Sequence, residues 1–129
     1  MMQHILMVDD DPFMGELAKG FLSGPETEVH GALSGEEAVR AMQSRRFDLV
    51  VTDIDMGKLD GLSLIRHIRS SATHASVPVL VVSGRKDLHA IDMARSLGAS
   101  SFVSKPVNWR LLPYKVRELL TQTEARSVA

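Results

Sequence analysis

Leu49-Val50-Val51-Thr52-Asp53-Ile54-Asp55-Met56 is the stretch that decides the fold of this chain. It opens as an apolar run without alternation, which is how a strand reads when both of its faces are buried. It then meets two acids, Asp53 and Asp55. A strand covered on both faces belongs to a parallel sheet with helices on either side. Two other runs read the same way: Ile5-Leu6-Met7-Val8, closed by Asp9-Asp10-Asp11-Pro12, and Val79-Leu80-Val81-Val82, closed by Ser83-Gly84. Shorter β-rich runs stand at Glu28-Val29-His30 and Ser101-Phe102-Val103, the latter followed by Lys105-Pro106.

Helical spacing fills the intervals. The stripes are Met14, Leu17, Ala18 and Phe21; Ala38, Val39 and Met42; Leu64, Ile65 and Ile68; Leu88, Ile91, Ala94 and Leu97; and Leu112, Val116, Leu119 and Leu120. Ser34-Gly35-Glu36-Glu37 reads as a helix start, with a capping hydroxyl and acids in the first turn. Gly98 follows the fourth stripe as a helix stop. Five strands alternating with five helices predict an α/β fold, a doubly wound five-stranded parallel sheet. Alternation by itself leaves the strand order open.

Composition narrows the function. The chain has 129 residues, 44% hydrophobic and 24% charged, which suits one soluble domain rather than a disordered tail. The absence of cysteine excludes a disulfide scaffold, a thiol redox site and a zinc-thiolate site. A net charge of −1 gives no basic surplus for direct nucleic-acid binding. No apolar run approaches the roughly 18 residues needed to span a membrane. Met1-Met2-Gln3-His4 has no basic n-region, so the expected location is cytoplasmic. Residues 1–124 are expected to form the domain, with 125–129 a frayed tail or the start of a linker.

In open α/β sheets, ligands bind beyond the carboxyl ends of the strands, at the point where the winding reverses. In the order 2-1-3-4-5 the first and third strands are neighbours there, and Asp9, Asp10 and Asp53 converge. Three carboxylates in one crevice repel each other and suit a hard cation such as Mg²⁺. A metal makes that crevice attractive to a phosphoryl group, which bare acids would repel. A carboxylate can then act as nucleophile and become an aspartyl phosphate. Ser83 and Lys105, a hydroxyl and an ammonium at neighbouring strand ends, suit the phosphoryl oxygens. Singly, each is an ordinary turn, loop or surface residue, with Asp11 a helix-start acid. Their coincidence at the ends of four strands is what carries chemistry.

These residues resemble a response-regulator receiver domain, the phosphoacceptor module of two-component signalling, over residues 4 to about 122. The resemblance implies the flavodoxin-like order 2-1-3-4-5. It implies Asp9 and Asp10 as the metal-binding pair, Asp53 as the phosphoacceptor, and the backbone carbonyl of Asp55 as a further metal ligand. Leu59-Asp60-Gly61-Leu62 matches the segment opening the third helix. Ser83 matches the switch hydroxyl, Phe102 the switch aromatic, and Lys105-Pro106 the lysine–proline pair whose peptide bond is typically cis. Gly57 stands where the family usually has proline, which frees the loop. Asp55 and Arg85 occupy positions that tune self-dephosphorylation, and their opposite charges suggest an ion pair over the mouth of the site.

The implied function is a switch rather than an enzyme. Its phosphoryl donor is a sensor histidine kinase or a histidine phosphotransfer protein. The face of the fourth helix, fifth strand and fifth helix then reads out to a downstream protein, a fused output domain or a second copy in a homodimer. Two other readings compete. Asp53-Ile54-Asp55 resembles the Asp-x-Asp of haloacid-dehalogenase-like phosphatases, but that family places it after the first strand and its acidic pair late. A phosphorylation-independent pseudo-receiver usually lacks one of the site residues, and all five are filled here.

Overall fold

The structure, a computed structural model, describes residues 1–56, 60–84 and 88–128, with side chains through residue 122. The elements alternate: β1 (Gln3–Val8), α1 (Pro12–Leu22), β2 (Thr27–Ala32), α2 (Gly35–Ser44), β3 (Leu49–Thr52), α3 (Gly61–Arg69), β4 (Val79–Ser83), α4 (Leu88–Ser96), β5 (Ser101–Ser104) and α5 (Leu112–Val128). The strands form one sheet in the order β2-β1-β3-β4-β5, every pair parallel. The doubly wound order implied by the resemblance is therefore the order observed. No helix among the described residues is long and apolar enough to cross a membrane.

Period-two side-chain geometry explains the unbroken apolar runs, because successive residues of a strand face opposite ways. Leu6 and Val8 of β1, Val50 of β3 and Val79 and Val81 of β4 pack with α2, α3 and α4. Ile5 and Met7, Leu49 and Val51, and Leu80 and Val82 pack on the other face with α1 and α5. Each face needs its own hydrophobic set, so the buried positions of β1, β3 and β4 are apolar until Thr52 and Ser83 at the carboxyl ends of β3 and β4. On α3, Leu64, Ile65 and Ile68 are fully buried, each contributing about 1.5–3 kcal/mol of burial.

The helix ends have local causes. Asp11 caps α1, accepting from the N–H of Phe13 at 3.0 Å, and Pro12 follows with its fixed φ. Ser34 caps α2, its Oγ accepting from the N–H of Glu37 at 3.1 Å. Asp60 caps α3, accepting from Ser63 at 2.8 Å. Gly98 has φ of +107°, the left-handed conformation that ends α4. Two stripe assignments need correction. Leu88 is exposed, and α4 buries Ala90 and Ala94 instead. Phe21 is half exposed, and Leu22 takes the buried place at the end of α1. Phe21 instead stacks on Trp109, ring centroids 5.4 Å apart.

Candidate functional site

The sheet order places β3 between β1 and β4, so the residue that leaves β3 is flanked by both neighbours' strand ends. The N–H of Asp53 donates to the carbonyl of Val8 at 3.0 Å, which continues the β1–β3 ladder by one residue and sets Asp53 beside Asp9. The N–H of Lys105 donates to the carbonyl of Ser83 at 3.0 Å, extending the β4–β5 ladder in the same way. Backbone pairing alone thus brings four residues to one edge of the sheet.

Asp9 and Asp53 are buried, while Asp10 is exposed at the rim. The Lys105 ammonium donates to Asp9 Oδ2 at 2.8 Å and to Asp53 Oδ2 at 3.1 Å. Carboxylate oxygens of Asp9, Asp10 and Asp53 all lie within 4.8 Å of one another. The remaining oxygens of the buried pair are oriented by backbone: Asp9 Oδ1 accepts from the N–H of Asp11 at 2.9 Å, and Asp53 Oδ1 from the N–H of Asp55 at 3.2 Å. Partial burial opposes the charge on Lys105, but its hydrogen bonds to the two aspartates and their negative charge outweigh that. Its pKa lies above the ordinary lysine value.

The loop after β3 is held from two sides. Thr52, fully buried, donates from Oγ1 to the carbonyl of Asp53 at 2.9 Å. Gly61 packs directly against the same peptide: a Cβ there would stand 2.1 Å from the Asp53 carbonyl oxygen and 2.7 Å from Ile54 Cα. Its N–H donates to the carbonyl of Ile54 at 2.8 Å. The resemblance marked Asp60-Gly61 as the opening of the third helix. It gave no sign that Gly61 touches the backbone of Asp53, because that contact joins segments brought together only by the fold.

Ser83 is buried at the end of β4, and Phe102 is half buried on β5, beside Val81. Both line a cavity of about 100 Å³ with Ile54, Val81, Ile91 and Val103. The Arg95 guanidinium lies over the Phe102 ring, 5.3 Å from its centroid. The Lys105–Pro106 peptide is cis. Asp55 is exposed in the loop after β3. Arg85, Gly57 and Leu59 lie outside the described residues, and with them the expected Asp55–Arg85 ion pair and the loop-freeing role of Gly57.

The profile of the response regulator receiver domain matches residues 5–117. The chain belongs to the response regulator receiver domain family. The receiver domain is 32% identical over 121 residues to the regulatory protein VirG of Agrobacterium fabrum, covering 92% of this chain and 46% of that protein. It is 31% identical over 116 residues to the sensory transduction protein BceR of Halalkalibacterium halodurans, covering 90% of this chain and 49% of that one. The chain thus spans about half the length of the curated relatives it matches. Among solved structures, a CheY-like receiver domain protein of Methanospirillum hungatei superposes with a TM-score of 0.90 at 26% identity, covering 98% and 99% of the two chains. The receiver domain of a signal transduction histidine kinase of Syntrophus aciditrophicus gives 0.84 at 28% identity, covering 93% and 91%.

Proposed function

We propose that this receiver domain is a phosphorylation-dependent signalling switch that accepts a phosphoryl group on Asp53. The observation that carries the proposal is the shared lysine: Lys105 reaches Asp53 and Asp9 at once, and its backbone N–H pairs with the carbonyl of Ser83 at the end of β4. The donor is a phosphohistidine of a sensor kinase or phosphotransfer protein. A carboxylate oxygen of Asp53 attacks phosphorus, a P–O bond forms, and the P–N bond breaks with its electron pair leaving on the imidazole nitrogen. Lys105 and Ser83 then hold phosphoryl oxygens.

Asp9, Asp10 and Asp53 suit Mg²⁺, since an all-oxygen set within 4.8 Å matches what a hard cation takes, with the carbonyl of Asp55 as a further ligand. When bound, Mg²⁺ neutralises charge on the phosphoryl oxygens and lets an acidic crevice accept them. Asp10, at the exposed rim, is the acid that meets an incoming ion first. Asp9 is fixed by the N–H of Asp11 and by Lys105.

Phosphorylation adds charge beside Ser83. We infer that Ser83 moves toward the new oxygens and that Phe102 turns into the cavity they border, changing the face of α4, β5 and α5. That face would meet a downstream protein, a fused output domain or a second copy. The cycle ends in slow self-dephosphorylation, which makes the chain a regulator rather than a classical enzyme. Residues 1–124 would be the receiver unit, acting in the cytoplasm. A haloacid-dehalogenase-like phosphatase is disfavoured by the placement of the acidic pair on β1 and of Asp53 on the central β3.

Incubation with acetyl phosphate and Mg²⁺ tests the reading by intact mass. The expected result is one added phosphate in the wild type and none in Asp53→Asn. Labelling of Asp53→Asn at the wild-type rate would overturn it.

A further inference from the structure

A second group of metal-ligating side chains sits at the opposite end of the sheet. His4 on β1 is in register with Glu28 on β2, and His30 lies two residues further along β2 on the same face. His4 Nδ1 and His30 Nε2 are 3.1 Å apart. Glu28 completes the triangle, with Oε1 3.4 Å from His30 Nε2 and Oε2 3.9 Å from His4 Nδ1. Zinc–nitrogen and zinc–oxygen bonds of about 2.0–2.2 Å at a tetrahedral angle separate neighbouring ligand atoms by about 3.3–3.6 Å. The two nitrogens stand slightly closer than that, the carboxylate faces each of them through a different oxygen, and one ligand atom from each residue lies within 4.8 Å of the others.

The spot between the imidazoles already attracts a cation. One guanidinium nitrogen of Arg45, at the end of α2, lies 2.8 Å from His4 Nδ1 and 2.8 Å from His30 Nε2. A guanidinium has no lone pair, so in that arrangement both ring nitrogens accept and both lone pairs converge on one positive point. Two imidazoles and a carboxylate are the donors of a borderline divalent ion, and three protein ligands leave a fourth position for water. Arg45 can vacate the spot, since its long side chain contacts the rings from the exposed side.

We propose that His4, Glu28 and His30 form a binding site for a transition-metal dication, Zn²⁺ foremost, in which Arg45 is the displaceable resident cation. The site is distinct in chemistry from the all-carboxylate crevice around Asp53: imidazole nitrogen favours Zn²⁺ over Mg²⁺. It cross-links β1 to β2 at their amino-terminal ends, so occupancy stabilises the fold by mass action.

Titration of the intact chain with Zn²⁺ by calorimetry, and with Co²⁺ by visible absorption, both in excess Mg²⁺, tests the proposal. One equivalent of Co²⁺ should give the intense bands of a tetrahedral nitrogen–oxygen site, and Zn²⁺ should raise the melting temperature. His30→Ala should weaken Zn²⁺ at least about tenfold, since loss of a mere supporting partner already costs about 10–100-fold. Glu28→Gln, a half-exposed position that leaves the core intact, should weaken Zn²⁺ and abolish the thermal shift. Arg45→Gln should tighten Zn²⁺ severalfold by removing the competing cation. Unchanged affinity in both Glu28→Gln and His30→Ala, or weaker Zn²⁺ binding in Arg45→Gln, would overturn it.

Discussion

At the carboxyl end of the sheet, Lys105 lies on two buried aspartates; at the amino end, Arg45 lies on two half-buried histidines. Both arrangements put one cation at the focus of a set of ligand atoms, and the difference is in what surrounds them. The aspartate end is fixed by backbone: the ladders running past Val8 and Ser83, the Thr52 hydroxyl on the Asp53 carbonyl, and Gly61 pressed against the same peptide. The histidine end hangs on side chains projecting from an edge strand and its neighbour, with a long arginine as lid. Fixed hard oxygens suit chemistry that needs a defined reacting geometry. Adjustable nitrogen ligands suit occupancy by an ion and little more.

If rigidity distinguishes the two ends, glycine substitutions should separate them most. Gly61→Ala places a methyl inside the Asp53 peptide, so the loop must shift. The expected cost is about 2–4 kcal/mol, above the usual penalty of overpacking because the obstacle is backbone. Phosphorylation by acetyl phosphate should slow in parallel. Gly24→Ala, at the turn into the amino end of β2, meets nothing within 4 Å, and should be neutral or stabilising by up to about 1 kcal/mol. Urea melts of the two variants check the contrast, and equal losses would erase it.

Removing the two cations sharpens it further. Lys105→Met leaves Asp9 and Asp53 buried without their partner, and should lower stability by about 1–3 kcal/mol, less than for a fully buried pair because the lysine is partly exposed. Arg45→Gln should cost no more than about 0.5 kcal/mol, as expected for an exposed contact. Added Mg²⁺ should recover part of the Lys105→Met loss by supplying positive charge to the same oxygens.

A smaller effect separates two acids adjacent in sequence. Asp10→Ala should weaken Mg²⁺ at least about tenfold, worth 1.4 kcal/mol, and leave stability nearly unchanged. Asp11→Ala should cost about 1 kcal/mol of stability through the lost α1 cap and leave Mg²⁺ affinity within about twofold. Calorimetry showing the reverse would exchange their roles.

The smallest effect is a pH dependence that belongs to neither end. His74 is buried, with Nε2 accepting from the N–H of Phe47 at 3.1 Å and Nδ1 2.9 Å from the Thr73 hydroxyl. Burial, with help from Arg46, lowers its pKa below the ordinary value of 6.5. A folded pKa below the unfolded one means the unfolded chain binds the proton first. The stability His74 contributes is therefore complete above pH 6.5 and declines as the pH falls below it toward the folded pKa. His74→Leu should flatten that part of the profile while costing about 1–3 kcal/mol at neutral pH, since the Phe47 N–H loses its acceptor.

How much of this the sequence showed depends on how local each cause is. The strands are legible in Ile5–Val8, Leu49–Val51 and Val79–Val82 because burial on two faces leaves a plain apolar run. Asp9, Asp53, Ser83 and Lys105 are legible because each directly follows a strand, and a parallel sheet aligns all such ends on one edge. The strand order came from resemblance, not from periodicity. Phe21 and Leu88 were misplaced since helical spacing locates a stripe without locating its edges. Gly61 against Asp53, Arg45 between His4 and His30, and the Arg69 guanidinium on the carbonyls of Val77 and Gly98 all join distant segments. No spacing rule encodes them.

The central claim is that Asp53 alone among the acids of the crevice takes the phosphoryl group. Its most direct test is to phosphorylate the wild-type chain with acetyl phosphate and Mg²⁺, reduce the acyl phosphate with borohydride, and map the product by peptide sequencing in the mass spectrometer. The reduced residue should appear at position 53 and nowhere else, with Asp9, Asp10 and Asp55 recovered intact. A reduced residue at any of those three, or an unmodified position 53 in a chain that has gained a phosphate, would contradict the account.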